Sequence, residues 1–290
     1  MSEAPALHVL GCGRAARAVA RRLLDTGRVR PGLIVNRSLA SARCATDFLG
    51  AGEPAERLDE RVAGGWLMLG LPDGVLADSA DEVVRTCPSP PALAFHLSGS
   101  VEAAVLAGLG APFAAVHPVR AFADPDAAAS RFEGTWCVAE GEAAALDLLR
   151  PLFEAAGGRW LPFSARDKSA WHAATVAASN YLVTIQALAR DLADRAGLPE
   201  AQAAEILCDL QQGALDTLRE RPPREALTGP IERGDAGACR RLANAASGLD
   251  AESARLFAEL ARATLALARD KRGKREADGE IESLFGPTSD

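Results

Sequence analysis

The stretch from Val9 to Leu24, VLGCGRAARAVARRLL, constrains the fold of this chain more than any other. An apolar run ends at Leu10, a glycine turn follows, and helical spacing then puts Ala16, Val19, Ala20, Leu23 and Leu24 on one face. Gly11-Cys12-Gly13-Arg14-Ala15-Ala16 is a Gly-x-Gly-x-x-Ala pattern at a strand–turn–helix junction. Gly11 permits the tight turn, Gly13 lets backbone approach a pyrophosphate, and Ala16 is small enough for close helix–strand packing. The helix start then offers free N–H groups and the positive end of a dipole to phosphates. Without that context the pattern is equally an ordinary glycine turn of an unrelated α/β domain.

The context continues along the chain. Up to about Ser164, apolar runs alternate with helical patterns: ALHVLG, GLIVN, GWLMLGLP, ALAFHLSG, FAAVHP, TWCVAEG and RWLPFS. This predicts βαβ units in an α/β fold, a Rossmann-type, doubly wound, mostly parallel sheet. From Asp167 onward the strand signal disappears. A long helix is expected to run to a stop at Gly197, with Trp171, Ala178, Leu182, Ile185 and Leu192 on one face. Further helices are expected over 199–220, 236–247 and 251–272, followed by a polar, frayed tail. The division is a dinucleotide-binding domain over 1–164 and an all-helical substrate and dimerisation domain over 165–290.

The second strand run ends in Asn36-Arg37-Ser38, with Asn36 standing 23 residues beyond Gly13. NAD-binding folds tend to place a carboxylate there for the ribose 2′-hydroxyl, and a carboxylate would repel a 2′-phosphate. Arg37 can meet that phosphate with a fork of donors, Ser38 can add a hydroxyl, and Asn36 can bond the ribose or the adenine edge. The cofactor expected is NADP(H). The alternative is a solvated Arg37 and an enzyme indifferent between the two cofactors.

Later strand ends should lie at the same sheet edge. Leu71-Pro72-Asp73 would bring backbone beside the cofactor, or form an ordinary turn. Ser98 and His117 end the next two runs, near the expected nicotinamide end of the cleft. A hydroxyl can orient a carbonyl or imine, and an imidazole can transfer a proton near neutral pH. A structural bond from His117 to a loop fits as well. Arg120 could attract an anion or face water. His8 and His96 lie within apolar runs and are assigned to the core.

In the helical half, His172, Thr175, Ser179 and Asn180 share one half of the long helix; His172 and Ser179, seven residues apart, differ in direction by about 20°. They face a cleft or make hydrogen bonds between domains. Tyr181 is the chain's one tyrosine and suits packing better than acid chemistry. In ALTGPIERGD, Thr228 and the loop amides could hold a carboxylate, and Arg233 could pair with one or with an internal acid. Asp235 suits the N-cap of the next helix.

Composition excludes other classes. A net charge of −7 offers nucleic acid or an anionic membrane no basic surface. No apolar run approaches the ~20 residues that span a bilayer. Six scattered cysteines contain no C-x-x-C pair, so neither a metal site nor a disulfide framework is expected. The start carries no basic leader, and a reduced, cytoplasmic compartment fits.

These pieces together resemble a group of Rossmann-like reductases whose all-helical C-terminal domain has no assigned function. The matching segments are Gly11 to Ala16, Asn36-Arg37-Ser38, Leu97-Ser98-Gly99, His117-Pro118 with Phe122, His172-Ala173-Ala174 with Ala178-Ser179-Asn180, and Leu227 to Ile231 with Arg233-Gly234-Asp235. The group is distantly similar to pyrroline-5-carboxylate reductase, prephenate dehydrogenase and the β-hydroxyacid dehydrogenases. The resemblance implies an NADP-dependent oxidoreductase acting on a small molecule, and a homodimer with the active site between domains. One departure matters. β-Hydroxyacid dehydrogenases carry a catalytic lysine four residues before an asparagine, whereas here His172 and Asn180 stand eight apart and Lys168 is off that spacing. The expected chemistry is hydride transfer between nicotinamide and a C=N or C=O centre of a carboxylate-bearing substrate. His172 is the proton donor, helped by Asn180 or Ser179, with His117 as the alternate; Thr228 and Arg233 are the carboxylate anchors. The competing expectation is a non-catalytic NADP(H) sensor signalling through its helical domain.

Overall fold

A computed structural model describes residues 3–163 and 166–286. The chain divides into two compact units, Met1–Ala178 and Ser179–Asp290. The boundary expected at 164/165 falls on residues outside those described.

The first unit is built on one eight-stranded sheet: β1 (Ala6–Leu10), β2 (Arg30–Val35), β3 (Glu53–Ala55), β4 (Trp66–Leu69), β5 (Leu93–His96), β6 (Phe113–Pro118), β7 (Trp136–Gly141) and β8 (Arg159–Pro162). Their order is β3-β2-β1-β4-β5-β6-β7-β8. Only β7 runs antiparallel to its neighbour β6; the other pairings are parallel. The apolar runs are the central strands, because a parallel sheet covered on both faces needs apolar side chains on both. Met68 and Phe95 pack on one side with Val19 and Leu23 of helix α1 (Arg14–Asp25). Leu67 and Leu69 pack on the other, with residues of the helix that follows β4.

The connecting helices are α2 (Leu39–Leu49), α3 (Leu76–Thr86), α4 (Pro125–Ser130) and α5 (Ala143–Ala155), with a 3-10 segment over Ala103–Leu109. Phe153 of α5 meets Phe95 edge-on, with ring centroids 6.0 Å apart. Strand β3 escapes the apolar-run signal because it is three residues long and contains Pro54. Proline is tolerated there because β3 is an edge strand with a free N–H side.

Helix α6 (Lys168–Arg195) begins in the first unit and continues into the second, ending before Gly197 at φ +80°. Its expected apolar face is not buried within one chain. Leu188 is its one buried residue, while Tyr181, Val183 and Ile185 are exposed.

The second unit continues with α7 (Glu200–Glu220), α8 (Pro223–Ala226), α9 (Pro230–Arg233), α10 (Ala236–Ala246), α11 (Ala251–Arg272) and α12 (Asp278–Leu284). Asp235 caps α10 as its position suggested, accepting from the Ala238 amide at 2.8 Å. The tail read as frayed is instead helix α12. Ile281 and Phe285 lie one turn apart and pack with Cys239 and Leu265 in the core of this unit. Asp278 is buried with Arg272 in an ion pair at 2.8 Å and also accepts from the Arg275 amide. Three large apolar residues, Ile281, Leu284 and Phe285, among many polar ones were too weak a pattern, and the buried pair reads in sequence as solvated charge.

Candidate active site

Gly11 adopts φ +82°, a backbone region that favours glycine, and a Cβ there would stand 2.4 Å from Leu71 Cδ2. The turn from β1 is thus pressed against the residues that follow β4. Gly13 caps α1 with no side-chain bond to the helix, and a Cβ built on it meets nothing within 4 Å. Open space therefore lies at an uncapped helix start, the arrangement that accepts a phosphate. Cys12 contributes backbone rather than sulfur. Its side chain is buried and burial pushes the thiol up to about 12.

The Asn36 amide is already engaged. Its Oδ1 accepts from the Cys12 amide at 2.7 Å and its Nδ2 donates to the Ser41 carbonyl at 2.9 Å. Asn36 holds the shape of the glycine turn, a task the sequence reading gave to the glycines alone. Ser38 caps α2, its Oγ accepting from the Ser41 amide at 3.3 Å. Arg37 is exposed and makes no ion pair among the described residues.

His117 lies near the C-terminal end of β6, three strand spacings from β1, or about 14 Å. Its ring stands 6.2 Å from that of His172 and 6.4 Å from that of Trp171, both on the first turns of α6. The sequence named both histidines without a reason to pair them; the structure brings them together. Nδ1 of each imidazole and Nε1 of Trp171 are buried without a hydrogen-bond partner among the described residues. Unpaired buried polar atoms are uncommon and cluster where function outweighs stability. Burial, chiefly, with the positive potential of His172 and Lys168, pushes His117 down to about 4; Asp73 opposes them.

Ser98 serves its own turn. Its Oγ accepts from the amides of Ser100 and Val101 at 3.1 and 3.0 Å. The Ser100 hydroxyl donates to the Asp73 carboxylate, which links the loops after β4 and β5. Arg120 Nε donates to Thr135 Oγ1 at 2.7 Å. His8 and His96 are core residues as expected; the His96 ring accepts from the Ser98 amide through Nδ1.

Sequence reasoning missed the pair of Lys168 and Glu140. Lys168 Nζ stands 2.9 Å from Glu140 Oε1 and donates to the Val101 carbonyl at 2.6 Å, with both side chains largely buried. The available signals were a glutamate inside the apolar run of β7 and a lysine one helical turn before His172. A cavity of about 540 Å³, lined by Glu102, Phe113, Glu140 and Phe163 among others, opens where β6 begins, at the edge opposite His117.

Ser179, Asn180, Thr228 and Arg233 belong to the second unit, and all four are exposed. The loop around the last two is held by its backbone. Lys271 donates to the Leu227 carbonyl at 2.9 Å and Arg275 to the Arg233 carbonyl at 2.6 Å. Among the described residues no cluster of His, Cys, Asp or Glu could hold a metal ion, and no helix is long and apolar enough to cross a membrane.

Comparison with known proteins gives the same architecture. Residues 135–264 match the family model described as Domain of unknown function (DUF2520). No curated protein matches the sequence. Among solved structures, a candidate NADP oxidoreductase of Bacteroides fragilis is 21% identical with a TM-score of 0.75, over 91% of this chain and 99% of that one. A reductive aminase of Aspergillus terreus, solved with NADPH and ethyl levulinate, is 19% identical with a TM-score of 0.65, over 96% and 99%. A pyrroline-5-carboxylate reductase of Coxiella burnetii is 16% identical with a TM-score of 0.56, over 98% and 99%. The chain has the Rossmann-like fold of these proteins.

Proposed function

We propose that this chain is an NADP(H)-dependent oxidoreductase acting on a C=N or C=O centre, or the corresponding amine or alcohol, of a small carboxylate-bearing substrate. The observation that carries the reading is the pairing of His117 with His172 at the sheet edge that also holds the uncapped start of α1. The reductive aminase was solved with NADPH and the B. fragilis protein is named for NADP, which supports the same cofactor here.

The glycine turn and the amides of Arg14, Ala15 and Ala16 would hold the pyrophosphate, and Arg37 the 2′-phosphate. The residues after β4, Leu71 to Asp73, would flank the cofactor. NADPH, when bound, supplies the hydride. The protein's part is to place the acceptor and to deliver a proton. His117, neutral at physiological pH, offers a hydrogen bond rather than a charge. His172 gives the proton to the nitrogen or oxygen that receives the new electron pair, and takes it back in the oxidative direction. Thr228 and Arg233 are the proposed carboxylate anchors, and Ser179 and Asn180 the proposed further substrate contacts. The active form is a homodimer, which would cover the apolar residues Tyr181, Val183, Ile206 and Leu210 that one chain leaves exposed.

The test is fluorescence titration with NADPH and NADH, followed by turnover of NADPH with cyclic imines, with ketones plus amines, and with oxo acids. Tight NADPH binding with turnover of one class is expected. Failure to bind NADPH would overturn the reading, and binding without turnover of any class would favour a sensor.

A further inference from the structure

We propose that Lys168 is a positioning residue, whose buried ion pair with Glu140 fixes the first turn of α6 so that His172 is presented to His117. The inference rests on the proposed function for its catalytic meaning, but its geometry stands apart from that function.

Three segments meet at this pair. Lys168 opens α6, Glu140 lies in β7, and the loop after β5 supplies the Val101 carbonyl. Glu140 Oε1 accepts from Lys168 Nζ at 2.9 Å and from the Ala103 amide at 3.0 Å, so one carboxylate oxygen ties helix and loop together. The loop matters because Gly99 forms one wall of the His117 ring. A Cβ on Gly99 would stand 2.7 Å from His117 Cε1. The helix matters because His172 follows Lys168 by four residues, which places the two on one face. Both surfaces that confine His117 thus depend on the same ion pair.

The side chains of Lys168 and Glu140 are 9% and 13% exposed. Burying such a pair brings little net stability, since desolvation offsets the attraction. Its retention is better explained by specificity of position. Lys168 also adds positive potential at His117. The other charged or titratable groups acting on that ring are His172 on the same helix and Asp73 after β4. Removing the lysine should therefore let His117 take a proton at higher pH.

Lys168→Met alone would strand a buried carboxylate and could simply unfold the unit, so Lys168→Met/Glu140→Gln is the informative variant. Its glutamine can still accept from the Ala103 amide. Ring-proton NMR of the histidines in the intact protein, read against pH, is the first measurement. The double variant is expected to retain the thermal midpoint of the parent while His117 titrates at higher pH. Lys168→Arg should keep the parent titration. NADPH affinity should be unchanged, because the glycine turn is untouched, and turnover should fall about 100-fold, as expected when a catalytic group shifts by ~1 Å. A double variant with the parent's His117 titration overturns the proposal, as does one with the parent's turnover. Should the parent protein neither bind NADPH nor turn over, the proposed function fails, while the histidine titration still decides the role of Lys168.

Discussion

Gly70, just beyond β4, lies so close to Ala16 on α1 that a Cβ added to it would stand 2.3 Å from the Ala16 methyl and 2.4 Å from the Gly11 carbonyl oxygen. The third small residue of the glycine pattern is therefore half of a contact whose other half is supplied 54 residues later. Gly70→Ala should push the turn and helix apart. We expect a loss of about 1–3 kcal/mol, the usual range for overpacking, together with lost NADPH binding. Urea unfolding and fluorescence titration read the two effects. Gly108→Ala, where an added Cβ meets nothing within 4 Å, is the control and should change neither.

Arg37 is exposed beyond the end of β2, with Ser38 already committed to capping α2. A guanidinium placed there discriminates a 2′-phosphate from a 2′-hydroxyl through charge-assisted bonds of about 1.5–3 kcal/mol. Arg37→Glu should weaken NADPH binding roughly 10- to 100-fold and leave NADH binding unchanged or improved. Equal weakening for both cofactors would show that Arg37 does not read the phosphate.

The approach of Gly99 to His117 predicts a different kind of lesion. The atoms an added methyl would meet, Cε1 at 2.7 Å and Nδ1 at 2.8 Å, belong to a side chain rather than to backbone. The ring can turn aside, so the fold survives. Gly99→Ala should keep its thermal midpoint within a few degrees and its NADPH affinity intact. Turnover should fall on the order of 10- to 100-fold, because His117 no longer meets its partner. Loss of NADPH affinity alongside turnover would contradict this division of labour.

How legible was all this in the sequence? The sheet was, because central parallel strands read as apolar runs and their ends as turns. Arg14 to Ala16 and the longer helices α7, α10 and α11 of the second unit were legible for the same reason: period and breakers are local signals, which the short α8, α9 and α12 are too brief to carry. Strand β3 was not, since a three-residue edge strand with a proline carries no period. Within the site, residue types pointed to His117 and His172, yet their juxtaposition depends on how the first turns of α6 pack beside the end of β6. Asn36 and Ser98 show the opposite limit. Both were read as ligand groups from their place at strand ends, and both spend hydrogen bonds on their own turns. A polar side chain after a strand has two uses, and sequence position does not choose between them. The Lys168–Glu140 pair spans 28 residues and two elements, beyond any local pattern.

Acid should destabilise the two units in different pH ranges. His96 in β5 is fully buried, and burial, only partly offset by the Glu102 carbonyl, pushes it down to about 4. The unfolded chain binds that proton near pH 6.5, so between these values the unfolded state holds more protons. Stability of the first unit is therefore complete above about pH 6.5 and falls as pH drops toward 4, by ~3 kcal/mol from this ring; His117 adds in the same direction. Asp278 in the second unit behaves otherwise. Its carboxyl is held down at about 2, chiefly by the Arg272 hydrogen bond, so its contribution persists above the ordinary carboxylate value and is lost only as pH falls toward 2. All four tryptophans, Trp66, Trp136, Trp160 and Trp171, lie in the first unit, so their fluorescence follows that unit alone. The urea midpoint read by tryptophan should fall between pH 7 and pH 5, and His96→Gln should reduce that fall, since glutamine can bond the same loop without binding a proton. Equal slopes for parent and variant would show that His96 is not the group that titrates.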